Sequence, residues 1–576
     1  MKESEIEILE RQGCFSNDWS LVDIAEATDL SRIRNVYFSG PVKIGKGSEI
    51  INVPGGISNV RIGDYVRIIN VARIENSSNA SFGVGTDVAV LDETGGRPVR
   101  IYPGISAQVA AIAARMPEYA TERLFPMIDR HIAEMKSEER DMPEIGDGAQ
   151  IFDCGPISDV RVWPGVLIEG AALLHNGSVV SNQRHSTYVG QGVNAENFII
   201  EDASVANGVV LRNTYVGQGC VIDKGFTSHD SLFFANCSME NGEACAVLAG
   251  PYTVSMHKSS LLIGCQTSFM NAGSGTNMSN HMYKLGPVHW GVLERGVKTS
   301  SNSYVMHGSR IGAFSLVMGD HKTHPDTSAF PFSYLFGDKD GKTIVVPGAM
   351  LKSYGLKRDG DKWPKRDRRL GNGMRLNDRI SFGILNPYTA DMILEAIDII
   401  DRLLPQASDG EGYIGYNGMK IKRSSLEKGR GLYTLALSKY VDSLKEKEPA
   451  EHPDADITDH WIDLLGQVIT ESDLKRVLAA DTIQEMEQAL DEASASYEAG
   501  EQQWAATRLK GHNPDLASEF DAMIEKDRKD SLTQIKKETD MLSLINTTSN
   551  GKTGIHREKP AVAHREGSGA GSADAR

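Results

Sequence analysis

Aliphatic residues recur every six positions over two long parts of this chain. An α-helix repeats every 3.6 residues and a strand every two, so neither explains this spacing. A period of six instead predicts short strands joined by tight turns, with one aliphatic side chain per strand directed inward. The first run is Ile44, Ile50, Ile62, Ile68 and Ile74, with Gly56 in the remaining slot; the later runs are Ile145, Ile151 and Ile157, then Leu293, Thr299, Val305, Ile311 and Val317.

The residue that follows the aliphatic position indicates where each turn begins. Ile44, Ile62, Ile145 and Val216 are each followed directly by glycine. Glycine turns a corner without the steric cost of a Cβ atom. The chain has 57 glycines in 576 residues, about a tenth, where about 7% is usual. Many tight corners are therefore expected.

These units resemble the hexapeptide repeat, aliphatic-Gly-x-x-small-x, of the left-handed parallel β-helix proteins. The resemblance covers about residues 33–80 and 145–350. It implies a mainly β fold in which three units form one triangular coil and, by analogy with the superfamily, a homotrimer. The layout is similar to that of a large bacterial subfamily in which a helical C-terminal region follows the β-helix. The resemblance implies no particular reaction.

Departures from the six-residue spacing divide the chain into segments. The alanine-rich stretch after Ile105 has helical spacing, and the polar stretch 271–292 does not fit six-residue units, which predicts a projecting loop. The predicted segments are a helical lead-in (1–32), a first β-helix block (33–104), a helical insertion (105–142), a second β-helix block (143–350), a basic connector (351–377), an α-helical region (378–550) and a disordered tail (551–576).

Charge and composition narrow the class of protein. A formal net charge of −16 argues against a nucleic-acid partner. No stretch approaches the roughly 18 apolar residues of a membrane span, and no apolar run follows the first residues as in a signal peptide. The six cysteines include no CxxC pair, which favours free thiols in the core. We therefore expect a cytoplasmic protein.

The first chemistry that the resemblance implies is acyl transfer. Acyltransferases of this superfamily use a histidine as general base on a sugar or amine acceptor, while an acyl-CoA or acyl-carrier donor lies between subunits. Histidine suits this role because its pKa of about 6.5 is close to working pH. The candidate bases are His281 and His289, with substrate hydrogen bonds from Asn271, Asn277 and Asn280. The alternative is that both histidines only satisfy backbone groups of a long loop.

The second chemistry is metal-dependent and resembles that of γ-class carbonic anhydrases, where histidines from two subunits hold a zinc-type metal. His321 and His324, with Asp320 or Asp326, are the candidate ligands of a divalent metal. The chain has no HExxH motif and lacks the γ-class pattern of histidines in adjacent coils. A corner loop with polar capping residues is the alternative interpretation.

The basic connector is a candidate for phosphate binding. Residues 350–377 contain nine basic and three acidic residues, and such a cluster suits the phosphates of coenzyme A, a nucleotide-sugar or a phosphosugar. A solvated linker is the alternative. The segment Gly371–Leu376 matches the Gly-x-Gly-x-Arg-Leu motif of sugar nucleotidyltransferases, but no βαβ alternation follows it. The candidate phosphate-binding residues are Lys365, Arg366, Arg368, Arg369 and Arg375.

The sequence thus favours acyl transfer from a CoA-type donor to a sugar or nucleotide-sugar, with loop amides stabilising the oxyanion. The main alternative is a non-catalytic oligomeric scaffold whose acidic C-terminal helices recruit a partner. A metal-dependent enzyme is the least favoured. The sequence identifies neither donor, acceptor nor cofactor.

Overall fold

The computed structural model describes residues 1–549 except 27, 93–94, 138–141, 183–186, 281–288, 370–374, 407–411 and 446–458. The fold is mainly β, with a large parallel sheet and a helical C-terminal region. No helix in these ranges is long and apolar enough to cross a membrane.

The helices fall into an N-terminal, an inserted and a C-terminal group. A π-helical stretch at Ala120–Leu124 joins the third helix to the fourth. The helices are α1 (Glu3–Arg11), α2 (Ala107–Arg115), α3 (Pro117–Tyr119), α4 (Phe125–Ser137), α5 (Tyr354–Lys362), α6 (Pro387–Leu403), α7 (Arg423–Leu444), α8 (Glu471–Ala479), α9 (Ile483–Ala495), α10 (Tyr497–Arg508) and α11 (Ala517–Ser549).

The strands are short, as the six-residue spacing predicts. Those before the inserted helices are β1 (Phe15–Ser16), β2 (Val22–Ile24), β3 (Ile33–Phe38), β4 (Val42–Ile44), β5 (Glu49–Ser58), β6 (Val60–Ile62), β7 (Arg67–Ile69), β8 (Arg73–Glu75), β9 (Asp87–Ala89) and β10 (Pro98–Arg100). The next group is β11 (Glu144–Ile145), β12 (Gln150–Phe152), β13 (Pro156–Val162), β14 (Leu167–Glu169), β15 (Leu173–Val180), β16 (Tyr188–Val189), β17 (Asn194–Glu201), β18 (Ser204–Val205), β19 (Val210–Val216), β20 (Val221–Asp223), β21 (Thr227–Phe233), β22 (Ser238–Glu240), β23 (Glu243–Cys245), β24 (Leu248–Ala249), β25 (Val254–Ser255), β26 (Leu261–Ile263), β27 (Cys265–Thr267), β28 (Asn277–Ser279) and β29 (Gly291–Leu293). The last group is β30 (Lys298–Thr299), β31 (Tyr304–Met306), β32 (Arg310–Ile311), β33 (Leu316–Met318), β34 (Asp320–His321), β35 (Tyr334–Gly337), β36 (Thr343–Val346), β37 (Tyr413–Tyr416), β38 (Met419–Lys422), β39 (Trp461–Leu464) and β40 (Gln467–Thr470).

Many partner residues in the large parallel sheet are 17 or 18 positions apart along the chain. Ile33 pairs with Ile50, and Ile50 pairs with Ile68. Three six-residue units span 18 residues, so the repeat stacks aliphatic residues on aliphatic residues. These side chains form one continuous buried core.

Asparagines form hydrogen-bonded ladders at the corners of the sheet. Asn35, Asn52 and Asn70 each have a positive φ between 53° and 58°, which asparagine tolerates better than most residues. The Asn35 amide donates to Asn52 Oδ1 at 3.0 Å, and the Asn52 amide donates to Asn70 Oδ1 at 2.8 Å. A second ladder links Asn176, Asn197, Asn213 and Asp230.

A long segment leaves the parallel sheet after Glu75, and the sheet resumes at Glu144 in unbroken register. Ile68 pairs directly with Ile151. The predicted block 33–104 is therefore longer than the first run of parallel strands. The difference arises at β9 and β10, which form a separate antiparallel pair. Their buried side chains join a second core with α2 and the outer face of the large sheet.

Two other predicted segments also differ from the observed structure. Within the predicted loop 271–292, β28 pairs with β26 and β31 inside the sheet. Residues 281–288 of this loop lie outside the described ranges. The predicted helical region 378–550 also contains two hairpins, β37–β38 and β39–β40, and β38 extends a sheet edge by pairing with β36. The predicted tail 551–576 is likewise outside the described ranges.

Candidate functional site

A cavity of about 360 Å³ lies on the outer face of the large sheet, where the inserted and C-terminal elements cover it. Its floor comes from β27, β29 and the residues after β29, and its walls come from α2, α6 and β39. This volume is within the range of small-molecule sites. We call it the arginine cavity, defined by Arg115, Glu294, Arg295, Arg310, Tyr388 and Asp463.

Arg295 is the most unusual residue of the arginine cavity. Its side chain is 1% exposed, and Nη2 donates a hydrogen bond to the Ser381 carbonyl. Across the described part of the chain, Nε and Nη1 have no hydrogen-bond partner. The nearest carboxylate oxygen, Asp463 Oδ2, lies 3.9 Å from Nη1. A buried cation with unused donors costs several kcal/mol unless an anion reaches it.

The other two arginines are held in place by the cavity wall. Arg115 Nε donates to Gln266 Oε1 at 2.7 Å, and its Nη1 donates to the Asp463 carbonyl at 2.9 Å. Arg310 Nε donates to Glu294 Oε1 at 2.7 Å. Three guanidinium groups thus face two carboxylates, Glu294 and Asp463, so the cavity has one excess positive charge when both carboxylates are ionised.

Glu294 and Tyr388 supply groups that can exchange protons. The Tyr388 hydroxyl donates to Glu294 Oε2 at 3.1 Å. Burial raises the pKa of Glu294 above its ordinary value, although Arg310 acts in the opposite direction. Burial and the neighbouring carboxylates raise the pKa of Tyr388 well above its ordinary value, so the tyrosine stays protonated at neutral pH.

Of the predicted acyl-transfer residues, His289 and Asn280 lie together beside this cavity. The His289 Nδ1 atom is 3.3 Å from Asn280 Nδ2. The next residue, Trp290, lines the cavity, and the Arg97 guanidinium lies 4.7 Å from the centre of its ring. The other predicted base, His281, falls outside the described residues.

Asn271 and Asn277 are on different columns of the sheet, so the structure does not bring the predicted asparagines together. Asn271 bridges Val254 and Lys298. Asn277 pairs instead with Leu261 and Tyr304.

The predicted metal ligands have other partners. His321 is fully buried, and its Nδ1 is 2.8 Å from Thr343 Oγ1. Burial lowers the pKa of His321 to about 4, so the ring is neutral at neutral pH. His324 Nδ1 lies 2.7 Å from the His307 carbonyl. In the ranges that the structure covers, no three His, Cys, Asp or Glu side chains are grouped to hold a metal.

Two of the five candidate phosphate-binding residues fasten the connector to the sheet. Arg368 donates to the carbonyls of Gly219, Asn236 and Cys237. Arg369 is 3% exposed and forms a bidentate ion pair with Asp367. The remaining three, which are exposed at the surface, are Lys365, Arg366 and Arg375.

The sequence analysis did not predict the arginine cavity, although the sequence contains one pattern that indicates it. The unit Leu293-Glu294-Arg295-Gly296 has two charged residues directly after an inward aliphatic residue, whereas Ile44, Ile62, Ile145 and Val216 are each followed by glycine. Arg115 and Tyr388 gave no such signal, because only the fold brings them to Glu294.

Comparisons with known proteins identify a family but no activity. A family model described as "Domain of unknown function (DUF4954)" matches residues 1–60 and 52–404. An "Uncharacterized protein" of Treponema pallidum (strain Nichols) is 25% identical over 458 residues, which are 71% of this chain. The aligned part spans 62% of the length of that relative.

Proposed function

Because this chain belongs to the DUF4954 family, whose description names no activity, we propose a function from geometry: it binds a small anionic metabolite, of the phosphorylated-sugar class, in the arginine cavity. The observation that carries this proposal is the buried guanidinium of Arg295, whose Nε and Nη1 lack a hydrogen-bond partner within the described residues. An anion would supply both the missing acceptors and the missing negative charge.

The arrangement of charge favours an anionic group of the ligand. Arginine presents its donors in a planar fork that matches phosphate and carboxylate oxygens. In the cavity, three such forks face two carboxylates. Glu294 Oε1 already accepts a hydrogen bond from Arg310 Nε. Asp463 Oδ2 lies 3.9 Å from Arg295 Nη1, which is too far for a hydrogen bond.

The other lining groups favour a ligand with hydroxyl groups and a flat apolar face. Gln266 and Tyr388 add further polar atoms, and Trp290 adds an aromatic wall. A sugar ring has one apolar face and a rim of hydroxyls, and therefore matches both kinds of surface.

Isothermal titration calorimetry with inorganic phosphate and a panel of sugar phosphates tests this proposal. Hydrogen bonds to a charged group contribute about 1.5–3 kcal/mol, so Arg295→Met should weaken binding by about 10- to 150-fold. Arg212→Met is the matched control, because Arg212 is an exposed arginine paired with Glu196 outside the cavity. Wild-type protein that binds none of these anions, or an Arg295→Met variant that binds them as tightly, would overturn the proposal.

We also propose that the large sheet winds as a left-handed parallel β-helix and that the protein is a trimer. Support comes from the hexapeptide units and from parallel partners about 18 residues apart, as in Ile50 with Ile68. Left-handed parallel crossovers are rare among proteins in general, so the handedness needs its own test. A crystal structure that shows a right-handed coil would exclude this assignment. Light scattering tests the trimer, because a monomer in solution contradicts it.

The state of the cysteines supports the proposal of a cytoplasmic location. None of the six cysteines, all of which lie within the described residues, forms a disulfide, and five of them are buried. Structural thiols that remain reduced are typical of a reducing compartment. Fractionation of the source cells tests the location of the protein. Recovery of the protein in the periplasmic fraction would contradict a cytoplasmic location.

Acyl transfer is a second candidate, favoured by the contact of His289 with Asn280 next to the cavity wall. In this proposal His289 takes the proton of an acceptor hydroxyl, the hydroxyl oxygen attacks the acyl carbonyl, and the coenzyme A thiolate leaves. Exposed Lys365, Arg366 and Arg375 would contact the donor phosphates. Thiol release from acetyl-CoA, dependent on a sugar phosphate and abolished in His289→Asn, is the expected result. No thiol release with any acceptor leaves the binding or scaffold function in its place.

A further inference from the structure

We propose that Glu294 determines the charge of the ligand: the arginine cavity accepts a dianion, such as a phosphate monoester, together with one proton that Glu294 takes up. This inference rests on the proposed anion binding and adds to it a substrate charge class and a specificity-determining residue. It assigns Glu294 a role distinct from that of Arg295, which supplies the unused donors.

Among the charged residues that line the cavity, the charges balance in this combination. With Glu294 and Asp463 ionised, the three arginines leave one positive charge, which a dianion would turn into one buried negative charge. With Glu294 protonated, the arginines leave two positive charges, and a dianion neutralises them. An uncompensated charge in a buried site is unfavourable, so dianion binding favours the protonated carboxyl.

The hydrogen bonds around Glu294 suit both protonation states. Oε1 accepts from Arg310 Nε at 2.7 Å, and this contact remains when the proton is on Oε2. Oε2 faces the Tyr388 hydroxyl at 3.1 Å. A tyrosine hydroxyl can donate to a carboxylate or accept from a carboxylic acid, so protonation needs only a rotation of the hydroxyl group.

The groups that act on Glu294 come from four separate elements. Arg310 on β32 and Tyr388 on α6 are hydrogen-bonded to it, and Asp463 on β39 acts through its charge. Arg115 on α2 lines the same cavity. Burial raises the pKa of Glu294 and raises that of Tyr388 well above 10, while arginine stays charged throughout. We assign the proton to Glu294, because its Oε2 atom faces a hydroxyl group that can accept a hydrogen bond from a carboxylic acid.

Sulfate is the probe that tests this inference, because it stays dianionic from pH 5 to 8. In calorimetric titrations, wild-type affinity for sulfate should fall about tenfold per pH unit over the interval in which binding takes up one proton. Titrations in buffers of different ionisation enthalpy should report the uptake of that proton directly.

The variant Glu294→Gln should bind sulfate more tightly than wild type at pH 8 and show no dependence on pH. The amide keeps an oxygen for Arg310 and an NH₂ group for Tyr388, so the local hydrogen bonds survive. Glu240→Gln is the matched control, since Glu240 is also buried on the sheet and paired with one cation, Lys224, outside the cavity. This control should keep the wild-type pH dependence.

The outcomes separate this inference from the binding function on which it rests. Sulfate binding that Arg295→Met abolishes, but that does not change with pH in wild type, overturns the role of Glu294 and leaves the anion site intact. The role of Glu294 is overturned in the same way if Glu294→Gln keeps the wild-type slope. Absence of sulfate and phosphate binding at every pH overturns both proposals.

Discussion

Arg369 and Arg295 are both almost completely buried, yet their surroundings differ. Arg369 donates Nε and Nη2 to the Asp367 carboxylate and Nη1 to the Asp378 carbonyl. Arg295 donates only Nη2, to the Ser381 carbonyl, within the described structure. A buried cation with all its donors satisfied fixes the position of a segment. A buried cation with unused donors is unfavourable in the free protein, and we propose that a ligand completes Arg295.

The satisfied arginine belongs to a junction that positions one wall of the arginine cavity. The Asp378 carboxylate accepts from the backbone amides of Ala107 and Ala235, each at 2.7 Å. It therefore joins the first turn of α2 to the large sheet, and its charge is favourable at a helix N-terminus. The last residue of the same helix is Arg115, on the wall of the arginine cavity. The contacts of Asp378 with α2 thus help to fix the position of Arg115 in the cavity wall.

The largest expected effect is the loss of the satisfied arginine. Arg369→Met leaves Asp367 buried without its cation, and breaking one partner of a buried pair costs about 3–5 kcal/mol. Urea unfolding of the two proteins measures this difference in the free energy of unfolding. Arg366→Met, an exposed neighbour on the same connector, is the control and should change it by less than about 0.5 kcal/mol. Equal effects of the two substitutions would contradict the role of Arg369.

The next largest effect concerns His321, a buried basic residue that stays neutral and therefore places no unpaired charge in the interior. Burial lowers the pKa of His321 to about 4, against about 6.5 in an unfolded chain. Its contribution to stability is therefore present above pH 6.5 and is lost as the pH falls from 6.5 to 4, by about 3 kcal/mol.

The variant His321→Gln isolates this contribution, because its amide can replace the contact with Thr343. Measured from pH 7 to pH 4, its free energy of unfolding should fall by about 3 kcal/mol less than that of wild type. Parallel curves for the two proteins would show that His321 does not carry the dependence on pH.

The smallest expected effect is that of Arg295→Met, which tests most directly how the two buried arginines differ. In the free protein, Arg295→Met removes a charge with unused donors and keeps an apolar side chain against Phe269. The free energy of unfolding should therefore change by less than about 1 kcal/mol, or rise. A loss as large as that of Arg369→Met would show that Arg295 is structural and that the two arginines do not differ.

The six-residue spacing predicted the strands because each repeat is a local pattern. Ile62 and Ile68 belong to units that specify their own strand and turn, whatever lies between the blocks. The spacing therefore survives the long inserted segment, and Ile145 pairs with Ile62. The predicted bounds of the inserted segment were less accurate. Val88 and Val99 are aliphatic, like the residues of the six-residue repeat, but they pair with each other in an antiparallel hairpin.

Candidate site residues were predicted less well, because polar residues in a turn look alike whether they bind a ligand or the backbone. His321 and Arg369 were candidates on the basis of residue type, and the structure shows each engaged with its own neighbours. His289 is next to a cavity, but its sequence context alone did not indicate Trp290 as a cavity wall.

The sequence by itself determined the short strands, the parallel stacking of aliphatic residues and the helical C-terminal region, since these follow from local periodicity. Only the tertiary structure decided which charged residues meet. Arg115, Glu294, Tyr388 and Asp463 come from four elements separated by up to 348 positions, and no local pattern relates them. Their proximity depends on how the inserted and C-terminal elements pack on one face of the sheet, and that packing decides which buried charges are paired and which keep unused donors.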